Sequence, residues 1–514
     1  MISENYKNEL FGLVKSLNAT EKAYLFKLSK RHSGKNNSLH LQFLNILFKS
    51  NEYNETVFKG TLNVKSAAQF SMIKKYLFNE IIDTLIFLYR HQNNFTESDK
   101  HIMILELLID RKLFKSAGKI INREKETATR SQNLIKKLRL LKIEFELLRF
   151  TNPGFLGEQN KLINSQFKEV ETAEKLSIQF RELIVLRNAS NNRIDESEFK
   201  DAKHVLQYVS AFQLNAETSP ITQILFSACN ALACHLATDS GKSAYYNNQV
   251  LNIWNNYPSL VSHHSVLFIE CATTALHNSF SFNDIQKAIA VFKSFKSLSM
   301  RLENRTHIKR WQLFEFNTML KIYHKSGNYN KVRELLFNEG KAIEKLSSQI
   351  LPPPEYLALL ASIVISYFVL DDLKSADSLM YKVKSLLSSS QRQDIFYFAQ
   401  VFHLLIIYEL GDNFRLHNAA ETAYQQLYKK RALRPFEKDI MSLIKSLSSS
   451  SSKTQTQKQM VEALRKLDEY KNDPVKKMHF LYFNYHGWLQ SKIMDTPYRN
   501  YVMANLKKQI NDPD

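Results

Sequence analysis

Cys229, Cys234, His235 and Cys271 are the residues of this sequence whose types suit a metal: three thiols and an imidazole within two neighbouring helical segments. Structural zinc sites take ligands in close pairs, two to four residues apart, whereas these cysteines stand five and thirty-seven apart. Cysteine is among the most buried residue types even when free, so packing is expected here and no metal. Gly241, Lys242 and Ser243 copy the end of a phosphate loop, in which backbone amides and a lysine cradle phosphates. The leading glycine of that motif would fall at Leu236, and the segment joins two helices where the motif must follow a strand. His263 and His264 lie beside Pro258 without nearby carboxylates or thiols and are expected in solvent. With no HExxH run and no Gly-x-Ser-x-Gly elbow, the reading is a non-enzymatic protein without a cofactor.

The elements that position these residues follow from composition and periodicity. Glycine is rare, 11 in 514 residues, about 2% where roughly 7% is usual, which disfavours folds built on Gly-rich turns. The first ten residues carry Glu4 and Glu9 without an apolar run, so no secretory signal is expected there and the location is read as cytoplasmic. The apolar run Tyr356 to Leu370 has 15 residues, short of the ~20 that a membrane-spanning helix needs, and reads as a buried helix. An odd number of cysteines argues against a disulfide framework.

A 44-residue self-similarity organises the second half of the chain. Its anchors are Ala244, Ala288, Val332, Ala376 and Ala420. Nineteen residues before them stand Leu225, Ile269, Leu313, Leu357 and Val401, and sixteen before stand Ala228, Ala272, Phe316, Leu360 and Leu404. These apolar offsets trace one stripe of a helix A, and after a short polar connection the anchor opens a helix B. One such pair cannot bury its stripe alone, so the pattern predicts stacked pairs, an all-α solenoid in register over 220–433. The segment Leu320 to Leu336, LKIYHKSGNYNKVRELL, resembles the tetratricopeptide-like superfamily through Tyr323, Gly327, Tyr329 and Leu336. The period is longer than that family's, and the small anchor is Val332 in this copy. The resemblance implies a right-handed solenoid of antiparallel pairs over about 98–445 and a habit of binding other polypeptides.

Residues 1–97 read as short helices followed by a long one, either an N-terminal cap or a helix-turn-helix module, starting from a cap signal at Asn18 to Glu21. The six serines between 446 and 452, with the polar run to 458, read as a flexible linker. Residues 459–514 then read as a C-terminal helical cap containing an aromatic helix over Val475 to Lys492.

Two surfaces are candidates for binding. Opposite the core stripe of helix A lies a row containing Phe226, Asn230, Thr274, His277, Phe314, Thr318, Lys321, Ser362 and Phe402, which the resemblance places on a concave face. Such a row suits a peptide, unless the N-terminal half packs against it. The alternative is nucleic acid. The chain has 70 Lys plus Arg against 50 Asp plus Glu, net +20, and Lys22, Lys27, Lys30 and Arg31 with Lys136, Lys137 and Arg139 would face phosphates. A protein or peptide partner and no membrane are therefore expected, with nucleic acid as the second reading.

Overall fold

The computed structural model describes residues 10–15, 17–32, 39–50, 52–64, 66–89, 94–190, 204–209, 211, 212, 214, 215, 218–237, 239–281, 285–351, 353–387, 393–429, 435–449, 453–472, 480 and 482–511. Every regular element among them is helical, so the protein is all-α. The chain forms two compact units, Met1–Lys125 with Arg139–Gln159, and Glu126–Leu138 with Asn160–Asp514.

The first unit holds α1 (residues 10–15), α2 (Ala19–His32), α3 (Leu39–Lys49), α4 (Glu55–Thr61), α5 (Ala67–Tyr89) and α6 (Asn94–Asp110), with most of α7 (Phe114–Arg130) and α8 (Leu134–Thr151). The Asn18 start signal is a reciprocal capping box: its amide donates to Glu21 Oε2 at 2.7 Å and its side chain accepts from the Glu21 amide at 2.9 Å. Helices α2, α3 and α5 pack around Phe43, whose ring meets Phe58 and Phe70 edge-on at 6.0 and 5.2 Å.

In the second unit α9 (Leu156–Ser190) and α10 (204–209) precede a series of helix pairs. The pairs are α11 (Pro220–Leu236) with α12 (Ser240–Asn256), α14 (Ser265–Ser281) with α15 (Ile285–Ser299), and α16 (Arg305–Lys325) with α17 (Tyr329–Ile350). They continue as α18 (Pro353–Val369) with α19 (Leu373–Leu386), α20 (Gln393–Glu409) with α21 (Asn413–Lys429), and α22 (Pro435–Ser449) with α23 (Lys453–Asn472). A one-turn α13 (Leu260–His263) precedes α14, and α24 (Tyr485–Ile493) and α25 (Tyr498–Asn511) follow the series. From α11 to α20 each first helix packs on its partner and on the first helix of the next pair, and α22 packs on α23. All ten stripe positions read nineteen and sixteen residues before the anchors are buried. The core falls into two clusters, both of which pack against Met319 and Tyr323 of α16.

The connection inside a pair repeats one device. Gly327, Asp371 and Gly411 have φ of 66°, 65° and 73°, the left-handed conformation that ends a helix and returns the chain. The next residue caps the second helix: Asn328, Asp372 and Asp412 accept from the amides of Lys331, Ser375 and Arg415. Four residues beyond the cap the side chain is fully buried, as at Val332, Ala376 and Leu416.

That device corrects the register at both ends. In the first pair Asp239 is the cap, and Ser243 rather than Ala244 is the buried anchor, its hydroxyl donating to the Ala231 carbonyl at 2.9 Å. In the fifth pair Leu416 takes the anchor position in place of Ala420, which lies one turn further along the same buried stripe. The segment read as a linker over 446–458 is helical where described: α22 runs to Ser449 and α23 begins at Lys453. Buried Leu443, Ile444 and Leu447 carry α22 into the serines, and Met460 and Leu467 anchor α23. The aromatic helix read over Val475 to Lys492 is α-helical only from Tyr485 among its described residues.

The turns can be tested by backbone alone. A Cβ at Gly411 would meet nothing within 4 Å, so Gly411→Ala is expected to cost about 1 kcal/mol through its left-handed φ. Asp371→Gly should add a few tenths to ~1 kcal/mol. Urea midpoints of the two variants should move in opposite directions, and unchanged midpoints would show that these turns carry no backbone penalty.

Candidate functional site

The row opposite the core stripe is not open along its length. Asn230 and Thr274 are buried, Asn230 donating to the Phe226 carbonyl at 2.9 Å and Thr274 accepting from Arg187 Nη1 of α9 at 3.1 Å. Leu176, Phe180 and Leu183 of α9 share one core with Cys229 and Ala233 of α11, and the Cys229 thiol donates to the Leu176 carbonyl. His277 is half-buried, its ring edge-on to His235 at 5.2 Å. At the far end Phe402 is fully buried, 5.0 Å from Phe368, 4.8 Å from Phe398 and 4.9 Å from Phe483. Thr318 is buried as well. Asn230, Thr274, Thr318 and Phe402 are therefore core residues, because α9 and the residues after α23 must bury apolar faces of their own.

The central part of the row remains reachable. Phe226, Phe314 and Ser362 are half-buried and Lys321 is exposed. Phe314 leans on the Trp311 ring at 4.9 Å, and the Ser362 hydroxyl donates to the Ala358 carbonyl.

Beside Phe314 runs a charged seam that sequence reasoning did not assemble. Arg310, one turn before Phe314 on α16, donates from Nη2 to Glu355 of α18 at 2.6 Å. The Glu270 carboxyl of α14 lies in the field of Arg310, Arg181, Glu355 and Arg187, and burial pushes it above the usual carboxylate range although the arginines pull it down. His307, next to Arg310, shares a hydrogen with Ser265 of α14, and burial and that arginine lower its pKa. The seam thus joins α9, α14, α16 and α18. Glu270 stands one helical turn before Thr274 of that row, and the arginines around it come from other helices at separations no local pattern encodes.

A second polar cluster ties α19, α20 and α21. Asp377 Oδ1 accepts from Arg415 Nη2 and from His403 Nε2, both at 2.9 Å, while Lys384 Nζ stands 3.4 Å from His403 Nδ1. An ammonium at Nδ1 fixes the tautomer with the proton on Nε2, donated to Asp377. His403 is buried and its pKa falls to about 4 through burial and the Lys384 charge. The order Lys384, His403, Asp377 could relay a proton, but a nearly fully buried imidazole offers a substrate no approach.

The other candidates find their places as follows. Lys22 is half-buried with its ammonium 5.6 Å from the Phe48 ring centre, and Lys27 is exposed. Lys30 and Arg31 lie on α2, their side chains outside the described residues. Lys136 and Lys137 are half-buried at the start of α8, and Arg139 is ion-paired with Asp99. The three cysteines are buried, and burial raises their thiol pKa values, Cys234 to about 11. Among the described residues no group of three potential metal ligands forms, and no helix is long and apolar enough to cross a membrane. Gly241 and Lys242 lie exposed in the first turn of α12, whose Lys242 amide is capped by Asp239. His263 is exposed as expected, but His264 is largely buried, with Nε2 2.8 Å from the Ser131 carbonyl, because α13 turns it inward. Comparison of the chain with family models, with curated proteins and with solved structures gives no match.

Three imidazoles, the buried His235 and His403 and the half-buried His324, set an acid limit on the second unit. Burial lowers His235 to about 3, with help from Arg187, and lowers His324 and His403 to about 4. The unfolded chain binds these protons first, so their contribution is intact above pH ~6.5 and declines as pH falls toward 4, by about 1.4 kcal/mol per pH unit for each histidine. Urea midpoints at pH 7.5 and 5.5 should differ accordingly, and His324→Gln should flatten the profile. A flat wild-type profile would place these imidazoles in contact with water.

Proposed function

We propose that the chain is a non-enzymatic, tetratricopeptide-like α-solenoid that binds a polypeptide segment on the centre of its A-helix face, between α9 and the C-terminal helices. One observation carries this reading: successive first helices pack on one another from α11 to α22, whereas among the described residues the second helices pack closely on one another only at α12 and α15. First helices held together while second helices stand apart curve a stack toward the first-helix side, and on this reading the A side is the inner one. On it, Phe314 and Ser362 are half-exposed and Lys321 exposed, flanked by positions that the chain itself fills. A surface closed at both ends and apolar with a polar border in the middle suits a short segment rather than a long one.

The test is capture from native lysate at two salt concentrations, with and without nuclease, using wild type, Phe314→Ala and Lys321→Glu. Polypeptides should persist after nuclease and be recovered at least tenfold less with Phe314→Ala, as for loss of an aromatic anchor. Lys321→Glu, at an exposed position, guards against a folding defect in the first variant. Recovery that needs nucleic acid and collapses with salt would overturn the scaffold reading in favour of a phosphate-binding one.

A further inference from the structure

We propose that the first unit docks on the surface of an anionic lipid bilayer through one tip, where the turn from α6 to α7 meets the end of α8. Leu113, Phe150 and Phe155 enter the headgroup layer there, and Arg111, Lys112, Lys115 and Lys119 meet the lipid phosphates. The proposal concerns the first unit alone and stands whether or not the A face binds a polypeptide.

The first argument is apolar exposure held in place. In the α6 to α7 turn the Lys112 amide donates to the Ile109 carbonyl at 2.9 Å and the Leu113 amide to the Leu108 carbonyl at 2.8 Å, with φ of 60° at Lys112. An apolar residue at the Leu113 position of such a turn commonly folds back on its own helix, yet Leu113 stays 50% exposed. The next residue, Phe114, stacks on Phe150 at the end of α8, with ring centres 5.5 Å apart and planes 9° from parallel. That stack fixes Phe150 while leaving it 62% exposed, and Phe155, in the 3₁₀ turn Pro153–Phe155 that follows α8, is 52% exposed. Large apolar side chains held open on fixed turns at one end of a unit mark a surface that meets something.

The second argument is charge. Helix α7 buries Ala117 and Ile121, so Lys115 and Lys119, on the opposite side, point away from the core and are exposed. Arg111 and Lys112 are exposed in the turn itself, and none of the four is ion-paired among the described residues. Asp110 is the one acid between residues 107 and 122, so four cations against one acid leave a surplus of three. Glu146 of α8 adds no counter-charge, because Arg149 pairs with it. Each cation brought to an anionic bilayer strengthens binding by about fivefold.

The third argument separates lipid from nucleic acid, which also offers phosphates. Leu113 has no flat face to stack on a base, and one face of the Phe150 ring is taken by Phe114. A bilayer surface uses both parts of the tip, headgroups for the cations and the acyl boundary for the apolar side chains. No helix among the described residues is long and apolar enough to cross a membrane, and a surface contact needs none.

The test is co-sedimentation of the full-length protein with vesicles of phosphatidylcholine alone and of phosphatidylcholine mixed with phosphatidylserine. Binding should appear with phosphatidylserine and weaken at least tenfold in Phe150→Ser and in the double variant Lys115→Glu with Lys119→Glu. Lys429→Glu with Lys438→Glu, the same charge change in the second unit, should stay within threefold. All five positions are exposed, and unchanged urea midpoints separate docking from folding. In Phe150→Trp the added indole should shift its emission to the blue on the mixed vesicles, which charge attraction alone does not produce. No co-sedimentation, binding indifferent to the tip variants, or binding without the blue shift would overturn the proposal. A labelled single-stranded oligonucleotide held more tightly than vesicles through Lys115 and Lys119 would assign the tip to nucleic acid, and a dimer abolished by Phe150→Ser would assign it to a second copy of the chain; either result overturns it too.

Discussion

The closing turn of the α16, α18 and α20 pairs is the constraint on which the middle of the second unit depends. A first helix must stop, reverse through one residue of positive φ, and restart on a side-chain cap, all within about three residues. Gly327, Asp371 and Gly411 supply the reversal, and Asn328, Asp372 and Asp412 supply the cap. Because cap and buried anchor are four residues apart, the turn also sets which face of the second helix meets the first. Burial of the stripe is thus a consequence of turn chemistry as much as of apolar composition.

Much of this was legible in the sequence. The stripe was correct to the residue at ten positions, since a fixed apolar offset on a helix leaves no freedom over which side faces inward. The register failed where hydrophobicity was asked to stand in for geometry. Ser243 is polar and buried, so an apolar search passed to Ala244, and Ala420 occupies the same stripe as the true anchor Leu416. Asp371 hid a left-handed turn because only glycine advertises one.

The binding face was legible in outline and misread in extent. Periodicity says which side of α11, α14, α16, α18 and α20 is not the core stripe, but not what else comes to cover it. Leu176 reaches Cys229 of α11 from 53 residues away, Arg187 reaches Thr274 of α14 from 87, and Phe483 reaches Phe402 from across α21, α22 and α23. His264 went astray for the same reason, its partner Ser131 lying 133 residues upstream. What remains uncovered is narrow, the stretch around Phe314, Lys321 and Ser362.

The grip of the C-terminal helices on α20 has a consequence in time. Glu409 receives the Trp488 indole N–H and the Lys492 ammonium, each at 2.6 Å, from residues 79 and 83 positions later. During synthesis, at about 5–20 residues per second, α20 therefore waits on the order of 4 to 16 seconds with Phe398 and Phe402 lacking the rings that later cover them. In that interval the nascent chain presents an aromatic face to its surroundings, and translation speed through residues 410–488 becomes a determinant of how much protein reaches the finished state.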